Sequence, residues 1–294
     1  MKLLSLFIAS LFLINGCITE KKQKNELKSV TEIKHQKNGW LNLKLQGNIK
    51  SIIEITYKTV DKFGEVIRTD IESQNYFFFN DKGNKNEESR YKADSSLVYK
   101  NIYKYDDRNN IIERNQYKSD GSLEYKYRFK YDNQGNQIEV NQDRSDGSLH
   151  RKRISKFDIH GNQIEGDWYK SDGNFEEKIH YKYDNQGDQI EESRYNKYDS
   201  LESKWTSIYD HKGNKIEENW YEAGHLIYNT TFKYDDKGNE IEENYFFPNR
   251  NSNSSYKCII KYDSKSNWTQ KEEFYNGTPK TITERTIEYF AETK

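Results

Sequence analysis

Apolar and charged residues alternate along much of this chain, the period-two signature of half-buried β-strands. Leu123, Tyr125, Tyr127, Phe129 and Tyr131 fall on one face, and Glu124, Lys126, Arg128 and Lys130 on the other. Each run ends at an aromatic-polar corner: Phe79-Asn80, Tyr105-Asp106, Tyr131-Asp132, Phe157-Asp158, Tyr183-Asp184, Tyr209-Asp210, Tyr234-Asp235 and Tyr262-Asp263. These corners recur at 26 residues five times, then at 25 and 28. Three positions past the Asp or Asn stands a glycine, except at Asn109 and Ser266. An acid that accepts turn amides, followed by a left-handed glycine, predicts a short hairpin loop. A second corner, Ser119-Asp120-Gly121-Ser122, recurs from Ser145 and from Ser171, so each period is two strands and two turns. Ile112, Ile138, Ile164, Ile190, Ile216 and Ile241 follow the first turn and are expected to resume the apolar face.

One amphipathic hairpin cannot bury its own apolar face, so consecutive units must pair edge to edge. The predicted fold is all-β: a tandem array of antiparallel hairpins of about 26 residues each, coiled into an extended sheet, spiral or barrel, because long flat sheets are unusual. Residues 39–294 read as one such domain, with atypical repeats at both ends. Trp40 to Tyr57 suggests a strand pair broken at Gly47-Asn48, and 59–65 repeats the turn chemistry off period. Pro248 predicts a loop in the longest departure from the period. Residues 258–290 are expected to cover the last strand edge.

The N-terminus differs. Lys2 precedes an apolar run from Leu3 to Ile14, too short to span a bilayer as a helix, which predicts a signal peptide over residues 1–16. Ile14-Asn15-Gly16-Cys17 resembles the lipobox of bacterial lipoproteins, so Cys17 is the expected lipidation site and residues 17–38 a polar tether. Removing the signal takes Lys2 from 47 basic residues against 48 acidic ones, moving the formal charge from −1 to −2. That near-neutral mixture argues against a nucleic-acid partner, which requires a basic stripe. With Cys17 acylated, Cys258 has no disulfide partner, and its strand position predicts a packed thiol.

Chemistry is sparse. The six histidines form no metal-ligand spacing, and no nucleophile elbow, phosphate-binding glycine loop or Cys-x-x-Cys is present. No cofactor or metal is expected, and the turn acids are too thinly spaced for calcium. Adjacent pairs such as Glu191-Glu192 and Glu217-Glu218 fall on opposite strand faces, which does not set two carboxylates on one substrate. The feature open to a ligand is the aromatic content, 24 Tyr, 14 Phe and 5 Trp. Trp168, Trp205, Trp220 and Trp268 lie on or near repeat strands and are the candidate stacking platforms, although core packing accounts for most rings.

With the lipobox and the recurring corners in view, the chain resembles repeat-bearing surface lipoproteins of Bacteroidetes-type bacteria, and its units resemble YD or RHS repeats. The matching residues include Tyr181–Glu191 and the Ser-Asp-Gly-Ser-Leu tracts at Ser119 and Ser145, within a span of roughly 55–263. The resemblance implies three acyl chains at the mature N-terminus and an outer-membrane address, periplasmic or surface-exposed. RHS shells carry a terminal toxin segment, and residues 261–294 are too short for one. The expected function is a lipid-anchored, non-catalytic module that recognises a protein or an envelope glycan. The alternatives are an immunity lipoprotein directed against a toxin, and a carbohydrate-active enzyme or its accessory.

Overall fold

The computed structural model describes residues 39–291. The signal, Cys17 and tether readings lie outside the described residues. A one-turn helix, α1 (Gly39–Asn42), precedes eighteen strands: β1 (Ile49–Lys62), β2 (Glu65–Phe79), β3 (Lys85–Lys92), β4 (Leu97–Tyr105), β5 (Ile111–Tyr117), β6 (Leu123–Tyr131), β7 (Gln137–Arg144), β8 (Leu149–Phe157) and β9 (Gln163–Lys170), then β10 (Phe175–Tyr183), β11 (Gln189–Asn196), β12 (Leu201–Tyr209), β13 (Lys215–Glu222), β14 (His225–Tyr234), β15 (Glu240–Phe247), β16 (Ser252–Tyr262), β17 (Trp268–Tyr275) and β18 (Thr278–Tyr289). Every strand pairs antiparallel with its sequence neighbours, and β1 pairs with both β2 and β18. The sheet is therefore a closed eighteen-stranded barrel.

Closure corrects the resemblance to YD/RHS repeat lipoproteins. An open hairpin shell would leave β1 and β18 as edges, whereas here they pair over Ile49–Lys58 and Thr281–Tyr289. The ends of the array cap each other, and 258–290 is the closing side of the ring. Curvature comes from bulges: a register shift interrupts every strand pairing except β15–β16. Each extra residue bends its strand and increases the local twist.

These bulges also correct the isoleucine reading. Glu113 faces Lys104 and Ile111 faces Tyr105, which leaves Ile112 as the extra residue. Ile138, Ile164, Ile190, Ile216 and Ile241 are bulged in the same way. Ile112 and Ile164 are each 41% exposed, so the set does not extend the apolar face as expected.

The turns follow the sequence. Asp132 Oδ1 accepts the amides of Gln134 and Asn136, Oδ2 accepts Asn136 Nδ2, and Gly135 closes the loop at φ 84°. The corner tyrosines do more than pack: they tie one hairpin to the previous one. The hydroxyls of Tyr105, Tyr183, Tyr209 and Tyr234 donate to the carbonyls of Lys85, Gln163, Gln189 and Lys215 at 2.7–2.9 Å. Near the seam Tyr289 donates instead to the Asp263 carboxylate at 2.9 Å.

The main apolar cluster sits at the seam. Leu45, Ile49, Ile52 and Phe79 are buried, with Trp40, Phe77, Ile287 and Tyr289 packed around them. The predicted strand before Gly47 is instead α1 and a loop, laid across the turn end of the ring. Trp40 Nε1 donates to the Ile49 carbonyl at 2.9 Å, Lys44 Nζ to Gly238 at 2.7 Å, and Gln46 exchanges two hydrogen bonds with Asn267. Pro248 opens a 3₁₀ turn over Pro248–Arg250, matching the predicted loop. Cys258 is a buried free thiol that donates to the Glu240 carbonyl, and burial raises its pKa.

Candidate functional site: the inner wall

The two sheet faces differ in chemistry, and their long side chains differ in exposure. One carries Tyr103, Arg114, Tyr127, Trp168, Tyr181 and Trp205, none of them exposed. The other carries Lys104, Lys130, Lys156, Lys182, Lys233 and Lys261, all exposed. In a closed sheet the crowded face is concave, so the aromatic rows line the interior and the lysine rows face outward. Eighteen strands enclose more space than side chains can fill, since roughly eight already suffice for that. Most inward residues are accordingly half-buried, and no dry core crosses the barrel.

The outward face is laced by ion pairs. Glu139 lies between Lys130 at 2.8 Å and Lys152 at 2.9 Å, and Glu113 lies 2.8 Å from both Lys104 and Lys126. Burial alone would raise these carboxyls, but hydrogen bonds from the two ammonium groups outweigh it and hold each at about 2. A folded pKa below the ordinary 4.5 stabilises the barrel above 4.5, and that stability is lost as pH falls toward 2. Glu113→Gln/Glu139→Gln is therefore expected to be less stable at pH 7 and to lose less stability on acidification. Urea unfolding followed by tryptophan fluorescence at several pH values checks this, and an acid slope equal to wild type would contradict it.

The structure places all four candidate tryptophans on the inner wall but does not gather them into one platform. Trp205 and Trp220 are direct cross-strand partners on β12 and β13, stacked at 6.1 Å and 18°. The row continues through Tyr228, 5.0 Å from Trp220, to Phe247 and Tyr245, which stack at 6.3 Å. Trp168 stands apart on β9, and Trp268 lies near the seam on β17.

Cations cover several of these rings. Arg151 lies 4.4 Å from the Trp168 centroid, Arg194 lies 4.9 Å from Trp205, and Arg285 lies 3.4 Å from Trp268. Each contact contributes about 0.5–2 kcal/mol depending on desolvation. The arginines are the candidate residues that a search for aromatic platforms missed. Their alternation with Gln and Tyr in the inward register was the available signal.

Beside the aromatic row, burial and a hydrogen bond with Glu243 push the Glu240 carboxyl up to about 7. Tyr245 donates to Glu243 as well. Two carboxyls in hydrogen-bond contact are too close for glycoside hydrolysis, which needs about 5 Å or more between them. Among the described residues no group of three His, Cys, Asp or Glu could hold a metal ion.

No protein-family model and no curated protein matches the chain. Among solved structures, a porin-like protein from Bacteroides uniformis ATCC 8492 aligns over 83% of this chain and 99% of its own, at 10% identity and a TM-score of 0.43. A porin-like protein from Bacteroides vulgatus ATCC 8482 aligns over 83% and 99%, at 12% identity and a TM-score of 0.38. TcdB2-TccC3 without its hypervariable C-terminal region aligns over 78% of this chain and 15% of its own, at 10% identity and a TM-score of 0.29.

Proposed function

We propose that this chain is a lipid-anchored cell-envelope protein whose barrel stands outside the bilayer and binds a glycan along its inner wall without transforming it. The observation that carries the reading is the separation of faces: rings with arginine, glutamine and tyrosine hydroxyls inward, lysine–glutamate ladders outward. A barrel that crosses a membrane needs an apolar outward belt about 25 Å tall. Lys100, Lys126, Lys152 and Lys178 stand on the outward face at equivalent positions near the middle of β4, β6, β8 and β10, where that belt would lie. Attachment therefore falls to the lipid on Cys17, supported by the apolar run that precedes it. A water-filled channel lined by aromatic edges and hydrogen-bonding groups suits a polar, extended polymer. A protein partner has less support, because outward apolar residues such as Ile208 and Ile259 are interleaved with charge.

Two measurements test this. Cys17→Ala is expected to move the protein from the membrane to the soluble fraction, and full membrane retention would refute the anchor. Detergent-solubilised full chain is expected to be retained by an envelope-glycan array, with Trp220→Ala reducing retention about tenfold. A folded protein that binds no glycan would refute the ligand class.

A further inference from the structure

The inner wall from β5 to β9 holds guanidinium groups that the barrel itself does not neutralise. The ion-paired arginines among the described residues are Arg68, Arg128, Arg151, Arg194 and Arg285, which leaves out inward-facing Arg114 and Arg153. Arg114 lies over Tyr127, 3.9 Å from the ring centroid. Arg153 lies 5.7 Å from the Trp168 centroid, and its Nη2 donates to the Tyr181 hydroxyl at 2.8 Å. The Nε of each is buried without an acceptor. A buried donor left open is costly, and its presence calls for an explanation such as an ion or ligand.

The backbone makes room for one of these groups. Gly166 is a buried glycine in the middle of β9, where an added Cβ would stand 2.6 Å from Arg153 Nη2 and 2.9 Å from its Nε. Its conformation is ordinary, so a side chain here would strain no backbone but would have to displace the ends of Arg153 and of Gln163, whose Nε2 would stand 2.9 Å away. Tyr127 and Gln142 sit between Arg114 and the β8 arginines in the inward register. Three strand spacings put Arg114 and Arg151 about 14 Å apart across the wall. Acids that share the inward register here have other partners: Glu88 accepts from Lys85 and Asn101, Glu177 and Glu192 face Arg194, and Glu176 pairs with Arg151.

We propose that Arg114 and Arg153 bind the acid groups of an anionic glycan, with Tyr127, Trp168 and Tyr181 holding the two guanidinium planes in place. The proposal rests on the glycan reading and narrows it to sugars that carry carboxylate or sulfate. A planar fork suits both groups, because each offers two oxygens to parallel N–H donors.

The test uses full-length protein in detergent and titration calorimetry with three probes: a neutral glucan hexasaccharide, a galacturonate hexasaccharide and a sulfated galactan oligosaccharide. At least one acidic probe is expected to bind about tenfold or more tightly than the neutral one, the least that a charge-assisted contact provides. Comparing the two acidic probes separates carboxylate from sulfate recognition. Arg114→Gln and Arg153→Gln should each remove most of this preference, weakening acidic binding far more than neutral binding. Gly166→Ala should weaken acidic binding with no change in charge. Should a Gln variant fail to fold, Arg153→Lys keeps the charge but loses the fork, and the same loss is expected. Equal binding of acidic and neutral probes, or acidic binding untouched by these variants, would overturn the inference and leave the glycan reading standing. Binding of none of the three would overturn both.

Discussion

Arg285→Ala is expected to destabilise the barrel by about 3–5 kcal/mol, the usual cost of removing one member of a buried ion pair. The Arg285 side chain is 7% exposed and its Nη2 lies 2.6 Å from Glu54, which is 14% exposed. The pair joins β18 to β1, and the same guanidinium covers Trp268 at 3.4 Å. Burial lowers the Arg285 pKa against the opposing pull of Glu54. Truncation therefore removes a plane that packs on a ring and strands a carboxylate in a poorly hydrated place. Glu54→Gln/Arg285→Met should recover much of the loss, because neither replacement leaves an uncompensated charge. Guanidinium unfolding of the single and double variants checks both statements. A single-variant loss below about 1 kcal/mol would mean that the pair is hydrated and screened like an ordinary surface pair.

The location of that pair explains why part of this fold was legible in the sequence and part was not. Turns were legible because their chemistry is local: Asp132, Gly135 and Asn136 complete one loop within five residues. Strands were legible because the inside-outside alternation has a fixed period. The bulges were not, since Ile112 and Ile138 look like any other apolar strand residue until the partner strand skips them. Closure was harder still. It depends on small bends summed over the whole array, and no single repeat encodes the total. The stretch before Gly47 misled for a related reason: Trp40 and Leu45 are apolar because they cover the seam, a long-range purpose with no strand period of its own.

The candidate site was half legible. Trp168, Trp205, Trp220 and Trp268, the candidate stacking rings of the sequence, all face inward. Which face of each ring remains free depends on Arg151, Arg194 and Arg285, which reach them across strand pairings that composition does not reveal. Gly166 carried no signal at all, because a lone glycine in a strand reads as a weak point until the neighbouring guanidinium is seen.

The seam also sets the second large effect. Ile52 is 1% exposed, between Ile287 of β18 and Phe77 of β2, and Ile52→Ala is expected to cost about 2–5 kcal/mol. Ile179, at 5% exposure on β10, is the matched control on the far side of the ring. Similar losses are expected from both changes in equilibrium unfolding, since each deletes the same atoms from a buried isoleucine. Their local consequences should differ. Amide exchange in Ile52→Ala should accelerate selectively in β1 and β18, because loosening this pairing exposes two raw strand edges. Those edges are aggregation-prone, so this variant should also self-associate at concentrations where Ile179→Ala stays monodisperse. If wild-type β1 and β18 amides already exchange faster than those of β10, and Ile52→Ala does not change them, the ring is not closed in solution, and the distinction between inner wall and outer face loses its basis.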